Sequence, residues 1–260
     1  SLFAPDKLVL TSFGIRPPHP SMLRLRRALE RIEVHAPFEV MPMWLSRSTQ
    51  RRSAMRGVSL HQPTDRLERL GANLANAYSA LKNDFDEDHW QQTMAYVRLG
   101  LGEDIRTVNL RPDAGGAEIG LWIKYAGVDQ QLPASALSDG TLAYLALVAL
   151  YRLDTGSSLV AMDEPELHLH PALLMRALDF FEAMARDRPV LLATHSDRLL
   201  DGLSDPARSA VLCELDEERR TRLRRPDPEA LQRWLTRYRG LGDIRGAGHQ
   251  ASIMAPELPS

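Results

Sequence analysis

An apolar run in this sequence, Ser158-Leu159-Val160-Ala161-Met162, is followed at once by two carboxylates, Asp163 and Glu164. Four successive apolar residues read as a buried strand, and its carboxyl end is where open α/β sheets take their ligands. An aspartate there can hold Mg²⁺, directly or through water, while the cation contacts phosphate. The next carboxylate points elsewhere and stays free to orient or deprotonate a water. A strand that merely ends in an acidic turn is as common, so the pair alone is evenly balanced between chemistry and structure.

A second apolar strand ends in Leu191-Leu192-Ala193-Thr194-His195-Ser196, about thirty residues further on. With one helix between them, a strand–helix–strand unit of that length brings both strand ends to the same sheet edge. His195 then stands near the carboxylates, within reach of a phosphate or of the water beside Glu164. A third segment, Leu137-Ser138-Asp139-Gly140-Thr141, leads into an apolar helical run. Ser138 or Asp139 suits an N-cap, and Gly140 lets a backbone approach a ligand closely. Free N–H groups at a helix start favour an anion by about 0.3–1 kcal/mol at exposed positions. Taken singly, His195 reads as a solvent-facing histidine and this segment as an ordinary capped helix.

The elements that must position these residues follow from periodicity. A short strand is expected at 7–12, an amphipathic helix at 21–33, and a polar loop or mobile segment at 45–63 carrying Arg47, Arg51, Arg52 and Arg56. A helix is expected from Asp65 with Thr64 as its cap, and another over about 87–99, after the acids Asp84, Asp86, Glu87 and Asp88. Strands follow at 104–110 and 117–125, the second placing Ile119, Leu121, Ile123 and Tyr125 on one face. From 138 the order is helix 140–152, strand 157–162, helix 171–186, strand 189–194 and strand 209–214, then a charged stretch and a helix at 228–238. Continuous apolar strands alternating with helices predict an α/β layer with a largely parallel sheet.

The three chemical segments, in this order and spacing, resemble the C-terminal half of ABC-type ATPases in the SMC, RecF and recombination-repair branch. The run Asp163-Glu164-Pro165-Glu166-Leu167-His168-Leu169-His170-Pro171 is most similar to AAA-type ATPases related to RecF and to the overcoming-lysogenization-defect family. The resemblance is specific over 136–201. It implies the C-terminal portion of an ABC-ATPase-like P-loop NTPase fold, a largely parallel sheet flanked by helices, with a helical and β signature lobe. It implies ATP and Mg²⁺ as cofactors, with Ser138, Asp139 and Gly140 as the signature that meets the γ-phosphate of ATP on the other protomer. Asp163 would serve Mg²⁺, Glu164 would polarise the lytic water and His195 would sense the γ-phosphate, with 165–171 at the dimer interface. The partner would be a second copy or a second ATPase half, and the process a DNA-repair or phage-defence one.

One part of that pattern is missing. A phosphate loop needs a Gly-rich turn ending in Gly-Lys-Ser/Thr, because backbone N–H groups cradle the phosphates and lysine reaches their oxygens. Lys7, Lys82 and Lys124 follow Asp6, Leu81 and Ile123, so no Gly-Lys pair exists in these 260 residues. The resemblance puts that loop on an upstream N-terminal lobe, and a chain opening on Ser1 instead of Met is expected to lack something. The expected divisions are 1–64, a partial region with the Arg-rich loop; 65–156, the signature lobe; 157–215, the carboxylate and histidine core; and 216–260, a C-terminal helix and tail. The isolated chain is expected to be inactive as an ATPase. A different class of function, a non-hydrolysing half that presents its signature helix to a partner ATPase, stays open.

Weaker readings compete at the same residues. His168, His170 and His195 with Asp163 and Glu166 have a zinc-like composition. A Ser196–His195 hydrolase is disfavoured, because adjacent residues rarely face each other and no nucleophile elbow is visible. Arg47, Arg51, Arg52 and Arg56 carry no acid among them and would suit a DNA backbone, although a solvated loop is the preferred reading. A formal net charge of −2 gives no global pull toward nucleic acid or membrane, and 44% apolar residues suffices for a packed core. Cys213 is the single cysteine, which excludes internal disulfides and multi-cysteine metal sites. No apolar run is long enough for a membrane span and no export signal opens the chain, so a cytoplasmic protein is expected.

Overall fold

The computed structural model describes residues 20–41, 54–153 and 155–255. The strand expected at 7–12 and residues Arg47, Arg51 and Arg52 lie outside them. In chain order the first half holds α1 (Pro20–Glu30), β1 (Ile32–His35), β2 (Ser59–Leu60), α2 (Leu74–Asn83), α3 (Glu87–Leu101), β3 (Ile105–Pro112), β4 (Glu118–Tyr125) and β5 (Leu132–Pro133). Next come α4 (Asp139–Arg152), β6 (Leu159–Asp163), α5 (Pro171–Met184), β7 (Val190–Ala193) and α6 (Asp197–Gly202). The remainder is α7 (Pro206–Ser209), β8 (Leu212–Leu215), β9 (Thr221–Arg224), α8 (Pro228–Leu235) and α9 (Leu241–Gly246).

The chain is mixed α/β. A parallel sheet runs in the order β1–β6–β7, and an antiparallel sheet in the order β2–β4–β3 with β5 added to β4. Helix α4 packs on α2, α3 and α5, with Leu142 through Leu150 buried without a break. A helix apolar on every side belongs in a core, not on a surface. Tyr78 of α2 anchors to it by donating to the Leu145 carbonyl at 3.1 Å, and Tyr144 of α4 donates to the Tyr96 carbonyl of α3 at 3.0 Å. Burial pushes the Tyr144 hydroxyl up to about 12, so it stays a neutral donor. On its other flank α4 packs on α5, where Phe180 stacks on Tyr151 with ring centroids 4.9 Å apart.

Strand β1 replaces the end of the helix expected over 21–33. Its inward residues are Glu33 and His35, in register with Val160 and Met162, so polar residues occupy buried positions and hide the alternation. The opposite face of this sheet carries Val34, Ala161 and Leu191 in one register row. Val34 is 50% and Leu191 63% exposed, although parallel sheets are generally covered on both faces.

Two further expectations are corrected. The helix expected from Asp65 starts only at Leu74, because polar side chains organise 64–73 otherwise. Asn73 accepts from the Glu68 N–H at 2.8 Å and donates to Thr64 Oγ1 and the Arg66 carbonyl, offering the backbone an alternative to helix. The strand expected at 209–214 does not join the parallel sheet: β8 pairs antiparallel with β9, inside the charged stretch. Asp216 makes that turn by accepting from the Arg220 N–H and from the Arg220 and Arg222 guanidinium groups at 2.8–3.0 Å. The acids Asp86 to Asp88 start a helix, with Asp86 capping α3 through the His89 N–H at 2.8 Å.

Candidate functional site

Asp163 ends β6 directly opposite Ala193 of β7, two residues before His195. Parallel pairing thus brings the carboxylate pair and the histidine to one sheet edge, as their spacing predicts. Asp163 and His195 are exposed there, and Glu164 is half-buried. The ladder continues one step past the strand, the Glu164 N–H donating to the Ala193 carbonyl at 2.7 Å. Glu164 then adopts φ 44°, in the left-handed region that costs a non-glycine residue about 1–2 kcal/mol. This reversal breaks the alternation of the strand, so the two adjacent carboxylates need not share a direction.

The segment after Glu164 folds back as successive turns, Leu167 N–H to the Glu164 carbonyl and Leu169 N–H to the Glu166 carbonyl, both at 3.1 Å. Glu166 sits beneath the histidine segment. Its Oε1 accepts from Thr194 Oγ1 at 2.8 Å and from the His195 N–H at 3.0 Å, while its Oε2 is buried with no partner among the described residues. His170 caps α5, its Nδ1 accepting from the Ala172 N–H at 3.3 Å, and Ser196 caps α6 through the Leu199 N–H at 3.2 Å. Both residues thereby serve helix starts, which disfavours the zinc and serine-hydrolase readings. Among the described residues no group of three or more His, Cys, Asp or Glu could hold a metal ion.

That finding leaves Mg²⁺ possible at Asp163. Magnesium is commonly held by one or two carboxylates together with substrate phosphates, so a lone exposed aspartate at a strand end matches its needs. The same donor set is a poor zinc site, which wants three or four protein ligands.

Ser138 is the N-cap of α4. Its hydroxyl accepts from the Thr141 N–H at 3.2 Å and shares a 2.8 Å hydrogen bond with Thr141 Oγ1. Gly140 follows, and a Cβ placed on it would lie 2.9 Å from the His168 carbonyl oxygen. The start of α4 is therefore pressed against the turn that follows the carboxylate pair.

Arg56 overturns its sequence reading. It is 5% exposed, in a short 3-10 helix over Ala54–Arg56, and cannot offer its charge to a DNA backbone. Its Nε donates to the Val40 carbonyl and its Nη1 to the Leu137 carbonyl, both at 2.6 Å, and Nη2 is ion-paired with Asp139. A buried guanidinium thus holds the strand of chain that leads into Ser138. Sequence gave no sign of this, since the partners lie 81 and 83 residues away. Arg245 was missed for the same reason: from α9 it donates through Nε to Asp197 at 2.6 Å and through Nη2 to the His195 carbonyl at 2.7 Å.

Comparison with known proteins follows the same lines. Residues 37–201 match the model of a family described as AAA domain, putative AbiEii toxin, Type IV TA system. No curated protein gives a significant match. Among solved structures, a chain from work on the structural biochemistry of ATP-driven dimerization and DNA-stimulated activation of SMC ATPases superposes with a TM-score of 0.42 at 14% identity, covering 58% of this chain and 96% of that one. The SMC head domain of Thermotoga maritima gives 0.38 at 14% identity, with 60% and 50% covered. A Smc head domain with coiled coil and joint from Pyrococcus yayanosii gives 0.37 at 17%, and this chain spans only 30% of its length. Among the described residues no helix is long and apolar enough to cross a membrane.

Proposed function

Because the chain belongs to this AAA-domain family, matched over well more than half its length, we propose that it binds and hydrolyses ATP at a composite site shared with a second copy or a second ATPase half. The observation that carries the reading is the pairing of Asp163 with Ala193, which sets Asp163, Glu164 and His195 on one edge. In this reading Asp163 holds Mg²⁺, which would neutralise phosphate charge. Glu164 orients the attacking water and takes up its proton. His195 reads the γ-phosphate. Ser138, Asp139 and Gly140, at the N-terminus of α4, meet the γ-phosphate bound to the other protomer.

In this reading the phosphate loop has to come from outside these 260 residues, which contain no Gly-Lys pair. We place the protein among DNA-repair or phage-defence ATPases. The deciding variant is Glu164→Gln in the full-length protein with ATP and Mg²⁺. It is expected to accumulate as an ATP-bound dimer by light scattering; an unchanged hydrolysis rate would remove Glu164 from the role.

The absent Gly-Lys pair also favours a second reading, in which this chain does not hydrolyse ATP and presents its signature helix to a partner's nucleotide. Calorimetry on the 260-residue chain separates the two. Tight Mg²⁺-dependent ATP binding by the chain alone would contradict the need for an external phosphate loop.

A further inference from the structure

The imidazole of His195 is exposed and has no hydrogen-bond partner among the described residues, so only its backbone fixes where the ring stands. That backbone is gripped on both sides. Its N–H donates to Glu166 Oε1 at 3.0 Å, and its carbonyl accepts from Arg245 Nη2 at 2.7 Å. Thr194 extends the grip, donating its hydroxyl to Glu166 and accepting from the Ser196 N–H at 2.9 Å. Such tight binding of one exposed peptide serves position more than stability. The Arg245–Asp197 pair leaves 30% and 46% of its side chains exposed, and pairs of that kind contribute about 0–1 kcal/mol.

The mount that carries Arg245 is rigid. Helix α9 packs on α6 so closely that a Cβ on Gly242 would lie 1.9 Å from the Asp197 carbonyl oxygen, and only glycine fits there. The Asp243 N–H donates to Asp201 at 2.9 Å, tying α9 to the far end of α6. Leu241 and Ile244 are wholly buried in a small core with Ala210, Leu231 and Ile253. Helix α9 and the small core that seats it lie beyond residue 201, where the family match ends, whereas α6 lies almost wholly within it.

We propose that Arg245 is a positioning residue for His195, so that the C-terminal segment, through α9, sets the alignment of the histidine at the nucleotide edge. The proposal rests on the role given to His195 above. Arg245 touches neither nucleotide nor metal in this scheme; it acts through the peptide of His195, against Glu166 on the other side. Movement of α9 would therefore alter turnover through His195 alone, leaving Asp163 and Ser138 where they are.

Two measurements test it. In ¹⁵N-labelled protein of these 260 residues, the His195 side-chain resonance, assigned by its loss in His195→Gln, is expected to shift or broaden in Arg245→Ala. Arg245→Lys, which keeps a charge toward Asp197 and guards against loss of fold, is expected to lie between. An unchanged resonance in Arg245→Ala would overturn the proposal. In the full-length ATP-hydrolysing protein, Arg245→Ala is expected to lower kcat on the order of tenfold with KM for ATP little changed, as when an outer partner of a working group is lost. The double variant with His195→Ala should be no slower than His195→Ala alone. A slow His195→Ala beside a full-rate Arg245→Ala would likewise overturn the proposal. A full-rate His195→Ala would instead sink the role given to the histidine, and the resonance would then decide alone whether Arg245 positions it.

Discussion

Arg56 and Asp139, 83 residues apart in sequence, form an ion pair at the N-terminus of α4. The pair is asymmetric: the guanidinium side chain is 4% exposed and the carboxylate 41%. Arg56 therefore cannot be satisfied by water if its partners go, whereas Asp139 can.

Arg56→Ala is expected to destabilise the chain by about 3 kcal/mol, since it strips the Val40 and Leu137 carbonyls of a charged donor as well as breaking the pair. Asp139→Asn should cost about 1 kcal/mol, because the carbonyl bonds to Arg56 persist. Urea unfolding of both variants measures the difference, and equal losses would mean the carbonyl contacts contribute nothing.

Ser138 carries two roles in our scheme that substitution can separate. Ser138→Ala loses the cap on the Thr141 N–H and is expected to cost about 1 kcal/mol, while Ser138→Gly costs only a few tenths. If the hydroxyl also meets nucleotide on the partner, both variants lose ATP-driven dimerisation equally. Thermal melts and light scattering on the same samples give the two answers.

Gly140→Ala should be worse than its size suggests. The added methyl would stand 2.9 Å from the His168 carbonyl, and a backbone oxygen cannot swing aside as a side chain can. A loss of about 1–3 kcal/mol is expected, the usual cost of forcing an extra carbon into packed structure. Limited proteolysis should show faster cleavage near His168; an unchanged melting temperature and cleavage pattern would refute the contact.

Acid sensitivity should centre on Glu33. Burial pushes its carboxyl up, but hydrogen bonds with His35 and Thr155 and the charges of His35 and Arg188 outweigh that and hold it below its ordinary 4.5. A lowered pKa in the folded state contributes stability above the unfolded value, and that contribution is lost as pH falls through the folded one. Stability should therefore drop on acidification below about 4.5, and Glu33→Gln should flatten that part of the curve relative to wild type. A parallel pair of pH–stability curves would exclude Glu33 as the cause.

The positions of Asp163, Glu164 and His195 at strand ends and of Ser138 at a helix start were legible because local pattern marks such ends well. The supports were not. Glu33 and His35 occupy inward strand positions where apolar residues were expected, so β1 read as the end of a helix. Asn73 and its neighbours built a side-chain-bonded turn where periodicity suggested helix. Arg56 read as part of a solvated loop and nothing marked Arg245, because they bond carbonyls and acids far along the chain and sequence spacing carries no record of such contacts. Each miss is a side-chain contact, local at Asn73 and long-range at the arginines, that overrode a pattern preference.

The burial of α4 on every side has a mechanical consequence. Nine successive residues of that helix are inaccessible, and tyrosines from α2 and within α4 tie it to its neighbours through their hydroxyls. Such a rod cannot tilt or slide alone without opening voids along its whole length. A force applied at Ser138 is therefore shared at once with α2, α3 and α5, the helices packed on α4. Through α2 and α3, which pack on β3 and β4, the tip of α4 and the antiparallel sheet are parts of one stiff unit.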